Sequence, residues 1–312
     1  MTLDRPGSAP STPPALSARF DTPEPIDMGL TLSPLRYGRD DPTIRFERDG
    51  VWLARSTASG PASIRLATDG HEVDADAWGP GAAEAIEAVP DLAGMNDVPG
   101  LLLARHPLIR ELQRRLPGLR LPRTGQLLPV LVPAVIGQKV TGQEAHGAYI
   151  ALVRKLGEPA PGPVALLLPP SAQALAALPY FEFHPLGLER RRADLLRRIA
   201  MQASGIEALT ALTADVAMAR LQSIPGIGPW TAAEATRSAF GNPDAVSVGD
   251  AHLPDLVAWA LAGEPRADDA RMLELLEPYR GQRARVVRLL EAAGIKIPRY
   301  GPRFAPRRIA PI

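Results

Sequence analysis

An α+β fold in two parts is predicted by three features of the 312-residue chain. Between Met28 and Leu66, short apolar–polar alternations end at Gly, Pro or Asp-Gly, the pattern of an antiparallel sheet with tight turns. From Pro99 to Gly294 apolar residues recur instead at helical spacing, in successive stretches from LLLARHPLIRELQRRL to GQRARVVRLLEAAG. With 46% hydrophobic residues, a chain of this length can fill a core.

In chain order, residues 1–27 are rich in Pro and Ser with little periodicity and read as a disordered leader. Residues 28–98 form the sheet domain, through the runs LTLSPLRYG, TIRFERDG, VWLARST and ASIRLATDG. Asp49-Gly50 is the clearest turn, and alternation puts Ile44, Phe46, Trp52 and Leu66 on the buried face, covered by a helix around residues 81–89. Residues 99–296 form an all-helical domain. The tail, 297–312, carries Arg299, Arg303, Arg307 and Arg308 among prolines, and reads as a surface arm or a nucleic-acid arm.

Charge excludes little. There are 35 Lys and Arg against 34 Asp and Glu, so any case for a polyanionic partner rests on local clusters. Two exist, at Arg190, Arg191, Arg192, Arg197 and Arg198, and at Arg280, Arg283, Arg285 and Arg288; each reads as a solvated face or as phosphate contacts. The absence of cysteine removes disulfides, thiolate metal sites and catalytic thiols, and the five histidines lack paired spacing, against a zinc site. No apolar run approaches the ~20 residues of a membrane helix, and the N-terminus lacks the basic-then-apolar order of a signal peptide. The expectation is a cytoplasmic monomer without membrane contact.

The informative segment is LQSIPGIGPWTAAEA, residues 221–235. A helix ends, Pro225-Gly226-Ile227-Gly228 reverses the chain, and a second helix begins with Pro229, tolerated where no backbone donor is needed. The glycines leave N–H groups bare at a helix N-terminus, which suits a phosphate, while Ile227 plugs between the helices. A dinucleotide fingerprint would want a third glycine where Thr231 stands, and a Walker loop would want Gly-Lys-Ser/Thr. The pattern left is a helix-hairpin-helix.

Together with FGNPDAVSVGDAHL (240–253) and GLRLPRTGQLLPVLVPAVIGQKVTGQEA (118–145), this segment resembles the helix-hairpin-helix DNA glycosylases, specifically the bacterial 3-methyladenine DNA glycosylase II, or AlkA, type. The resemblance runs over about residues 99–294. It implies a base-excision-repair hydrolase that flips a damaged base, most readily an N-alkylated purine, from double-stranded DNA and needs no organic cofactor. It also implies a catalytic role for Asp250; read alone, an Asp before a helix is equally an N-cap. Strand-cleaving members carry a Lys where this chain has Trp230, so the resemblance implies a monofunctional enzyme, with Trp230 stacking on the base or, as a lone residue, simply core.

Two positions depart from the type. Glu234 stands where an aromatic pocket residue is usual, which makes the pocket more anionic, unless the side chain lies on a solvated helix face. Gln138 matches a Gln beside the flipped nucleotide, but Lys139 replaces an apolar wedge; its stem can fill the gap while its amine meets a phosphate. By the same match, Gly226, Ile227, Gly228 and Thr231 contact DNA, and the backbone carbonyls of Gln222, Ile224 and Ile227 hold Na+ or K+. The rival readings are a catalytically inactive helix-hairpin-helix DNA-binding protein and a glycosylase for deaminated or oxidised bases.

Overall fold

The computed structural model describes residues 13–297. The first part of the expected leader and the tail arginines Arg299, Arg303, Arg307 and Arg308 lie outside the described residues. Five strands, β1 (Leu16–Asp21), β2 (Ile44–Glu47), β3 (Gly50–Thr57), β4 (Gly60–Thr68) and β5 (Glu72–Trp78), make one antiparallel sheet in the order β1-β5-β4-β3-β2.

Three sequence expectations are corrected here. A leader reaching residue 27 is too long, because β1 lies inside it and pairs with β5 from Leu16↔Ala77 to Asp21↔Glu72. Its order comes from across the ladder: Ser17 and Arg19 donate to Asp76 and Asp74 at 2.6 and 2.9 Å, while Phe20 packs on the core. LTLSPLRYG is not a strand. Asp27 accepts from the Leu30 N–H at 2.9 Å and starts a helix, α1 (Met28–Leu32), followed by a 3₁₀ turn at Ser33–Leu35. The first hairpin turns one residue early, with Glu47 facing Gly50, so Val51 and Leu53 join Ile44 and Phe46, and Trp52 goes to the opposite face. Trp52 is still buried, stacked 5.0 Å from Trp78 and packed with Leu166 and Leu168 of the helical part.

The main sheet face packs Ile64, Leu66, Val73 and Ala75 against α1 and against α2 (Ala82–Glu87), the helix expected there. Eight further helices position the site: α3 (Pro107–Arg115), α4 (Leu128–Ile136), α5 (Gly142–Leu156), α6 (Arg190–Met201), α7 (Ala214–Gln222), α8 (Pro229–Phe240), α9 (Leu253–Ala262) and α10 (Arg283–Ala292). They build two cores. One joins Leu131, Ile136, Leu152, Phe183, Leu196 and Ile227; the other returns α3, through Ile109 and Leu112, to Val257, Met272, Val286 and Leu290 near the far end of the chain. The 241–252 loop crosses from α8, in the first core, to α9, in the second. No helix among the described residues is long and apolar enough to cross a membrane.

Most of the arginine clusters are internal. Arg192 is buried and donates to the Ile136 carbonyl at 2.7 Å, and Arg198 donates to the Pro225 carbonyl at 2.6 Å. Arg283 pairs with Asp244, Arg285 with Asp97, and Arg288 donates to Ser33 and to the Leu30 carbonyl, fastening α10 to the sheet part. Arg190 remains open to solvent, paired with Asp194 at 3.6 Å.

Candidate active site

The reversal between α7 and α8 is a type II turn. Ile227 N–H donates to the Ile224 carbonyl at 3.0 Å, Pro225 takes the second position, and Gly226 takes φ +99°, a value that strains any residue with a Cβ. A Cβ there would also stand 3.1 Å from Leu195 of α6. Ile227 is buried between the helices, as expected, and Gly228 leads into Pro229. Gly226 is exposed and Gly228 half-buried, so the rim of the turn faces outward.

Two of the expected site residues are spent inside this joint. The Gln138 amide donates to the Gly226 carbonyl at 3.0 Å and to the Thr231 hydroxyl at 2.9 Å. Thr231 is buried, so its side chain ties the 137–140 turn to the hairpin and does not meet a phosphate. Lys139, next along, is exposed and has φ +56°, the one positive value outside glycine among the described residues. That conformation costs roughly 1–2 kcal/mol for a residue with a Cβ, and it holds the side chain out at the tip of the turn.

Asp250 is gripped from two sides. Its Oδ1 accepts from the backbone N–H groups of His252, the N-cap position of α9, and Leu253, its first residue, at 2.8 and 2.9 Å, and its Oδ2 accepts from the Trp230 indole N–H at 3.0 Å. The expected N-cap is thus displaced to His252, and the candidate catalyst braces the start of α9 from two residues before it. The indole lies against Gly137, where a Cβ would come within 3.1 Å of Cη2, so Trp230 spans from the 137–140 turn to Asp250. Both side chains are half-buried.

Glu234, one turn further along α8, is not on a solvated face. It accepts from the Ser247 hydroxyl in a short contact and from Arg237 at 2.9 Å. Burial pulls the Arg237 guanidinium down, but Glu234, then Glu291, Tyr37 and Asp250, more than offset it, leaving it raised above its ordinary value. Tyr37 reaches this group from the sheet domain, its ring 5.0 Å from that of Tyr149; burial and then the Glu234 charge push its phenol up. Sequence reasoning missed Tyr37, Arg237 and Ser247. Only Arg237 had a local signal, its i,i+3 spacing from Glu234.

No family model matches the chain. Over 157 residues it is 31% identical to a probable bifunctional transcriptional activator/DNA repair enzyme AlkA of Mycobacterium tuberculosis, with 48% of this chain and 31% of that protein aligned; the relative from a second strain of that organism matches equally. The aligned stretch thus spans about a third of the length of these curated relatives. Among solved structures, a 3-methyladenine DNA-glycosylase from Archaeoglobus fulgidus superposes with TM-score 0.74 at 17% identity, covering 88% of this chain and 97% of that one. An 8-oxoguanine glycosylase/lyase of Clostridium acetobutylicum gives 0.68 at 13% identity over 90% and 97%. The 3-methyladenine DNA glycosylase Mag1 of Schizosaccharomyces pombe, in complex with abasic DNA, gives 0.52 at 18% over 64% and 98%. By superposition over nearly nine-tenths of its length, the chain has the α+β helix-hairpin-helix DNA glycosylase fold, with its sequence kinship on the AlkA side.

Proposed function

We propose that the chain is a monofunctional DNA glycosylase that flips a damaged base, an N-alkylated purine, out of double-stranded DNA and hydrolyses its N-glycosidic bond. The observation that carries the reading is the Asp250 carboxylate, fixed by three donors beside Trp230 at the start of the hairpin's second helix. As the C1′–N bond breaks, its electron pair leaves with the base and positive charge grows on the sugar; a preorganised carboxylate stabilises that charge. Water then adds to C1′ and gives up a proton, with Asp250 as the acceptor. The Trp230 face stacks on the extruded base, and no lysine stands there to form a Schiff base and cut the strand.

The test is base release from duplexes carrying 3-methyladenine, 7-methylguanine, hypoxanthine or uracil, with enzyme in excess. The expected result is release of the alkylated purines, leaving an abasic site whose strand breaks only after added alkali. Duplex binding with no release from any lesion would leave only a DNA-binding module.

DNA contact belongs to the same proposal, through the hairpin rim at Gly226 and Gly228 and through Lys139, with the chain acting as a monomer. Na+ or K+ at the carbonyls of Gln222, Ile224 and Ile227 would stiffen that rim; the Ile224 oxygen, though it closes the turn, keeps a second lone pair. Lys139→Gly isolates the lysine, because glycine adopts the same backbone without strain. The melting temperature is expected to stay within a few degrees, while duplex affinity falls and the slope of log K against log salt shrinks by about one. Anisotropy titrations at several NaCl concentrations check this, and an unchanged slope would take Lys139 off the DNA.

A further inference from the structure

Between Thr231 and Ala239 every side chain of α8 is buried except Glu234 and Arg237, which continue the half-open stripe begun by Trp230 at i, i+4 and i+7. The 241–252 loop closes over this stripe at two points: Ser247 bonds Glu234, and Asp250 accepts from Trp230. Glu234 keeps 25% of its side chain exposed, so its carboxylate is clamped without being sealed away. Arg237 pairs with Glu234 at 2.9 Å and lies 3.9 Å from Glu291, which Arg288 approaches at 3.8 Å, so Glu234 is the carboxylate of this stripe nearest the indole on α8 itself.

We infer that Glu234 selects the base: its anion recognises the positive charge of an N-alkylated purine and sets how tightly the flipped base is held, leaving the rate of bond breaking to Asp250. The inference rests on the glycosylase reading above. An N-alkylated purine is cationic before reaction and leaves neutral, because the bonding electron pair goes to it while the charge passes to the sugar. A carboxylate facing the base ring therefore stabilises the bound ground state, whereas one facing C1′ stabilises the transition state. Glu234 follows Trp230 by four residues, ~6 Å of rise along α8, on the same face as the indole on which that ring would stack. Ser247 and Arg237 fix the carboxylate's orientation, so the charge is presented at one place.

The test uses the full chain and two duplexes of the same sequence, one with 7-methylguanine and one with a tetrahydrofuran abasic analogue at the same position. Single-turnover release of 7-methylguanine at increasing enzyme gives a half-saturation concentration and a limiting rate; anisotropy gives the affinity for the abasic duplex, which has no base to recognise. For Glu234→Gln the half-saturation concentration is expected to rise about tenfold, a Coulombic effect discounted for the partial exposure of Glu234. The limiting rate should not fall, and should rise by up to the same factor, because the ground-state stabilisation removed is not carried into the transition state, while the abasic affinity should stay within twofold. Ser247→Ala, a milder change that keeps the ion pair, should move the same quantity in the same direction by less.

An equal loss on both duplexes would make Glu234 a structural residue. A fall in the limiting rate alone would place it in the chemistry. Either result overturns the inference while leaving the glycosylase reading standing; a wild type that releases only neutral bases overturns the inference together with the alkylated-purine part of that reading. A wild type that releases no base at all overturns the reading itself and this inference with it.

Discussion

Asp250→Asn is expected to lower single-turnover release of an alkylated purine by about 10² or more, with melting temperature and duplex affinity close to wild type. The substitution separates the two duties of the side chain. Asn keeps a carbonyl oxygen as acceptor, so its Oδ1 still accepts from the His252 and Leu253 N–H groups and α9 still starts where it does. At the other branch an NH₂ replaces Oδ2 and faces the Trp230 indole N–H, donor against donor, so that one bond is lost at about 1 kcal/mol. What disappears entirely is the negative charge that, on the proposed reading, would face C1′ and accept the proton of water. A neutral lesion, with a poorer leaving group, should suffer the larger drop. Near-normal release by the variant would reduce Asp250 to a structural brace for the start of α9 and take the chemistry elsewhere. A stability loss of several kcal/mol would show instead that the indole bond holds the loop together.

The hairpin was legible because its causes are local. Pro225 and Gly226 dictate the turn, Pro229 tolerates only the helix start, and Ile227 is the single apolar residue between two glycines. Asp250 was legible through the resemblance; of its two readings, the cap is corrected, since the N-cap position of α9 is His252, although the Asp250 carboxylate does satisfy the first N–H groups there. Glu234 was ambiguous for a physical reason. Whether a helical carboxylate is solvated or clamped depends on Ser247, which a loop brings back from outside the helix. Tyr37 carried no signal at all, being almost two hundred residues away in a turn of the other domain. Gln138 and Thr231 kept their expected neighbourhood but turned their polar atoms inward to each other. The arginine runs misled most plainly: charge pattern reveals density, while the carboxylates that absorb Arg283 and Arg285 are Asp244 and Asp97, 39 and 188 positions distant.

The last of these pairs carries the largest expected stability effect. Arg285 of α10 and Asp97, ahead of α3, are 3% and 9% exposed and meet in a bidentate contact, one arm at 2.8 Å. Asp97 also accepts from the Leu121 N–H at 3.0 Å, and Arg285 donates to Gln282 at 2.6 Å, so three chain segments are pinned at one point. Asp97→Ala leaves a buried guanidinium without its counter-charge and a buried N–H without an acceptor, an expected loss of about 3–5 kcal/mol. At 2–4 °C per kcal/mol, that lowers the melting temperature by roughly 10 °C, measurable by calorimetry. Asp97→Leu combined with Arg285→Met should recover much of the loss, because removing both charges removes the desolvation cost that neither pays alone. If the single variant melts like wild type, water reaches the guanidinium and the pair is not a clamp. If the double variant is as damaged as the single, the stability comes from the bond of the Leu121 N–H to Asp97, which both variants lose, and not from the ion pair. Base release per folded molecule should be little changed in either variant, since α10 reaches the candidate site separately, through Glu291 to Arg237 at 3.9 Å.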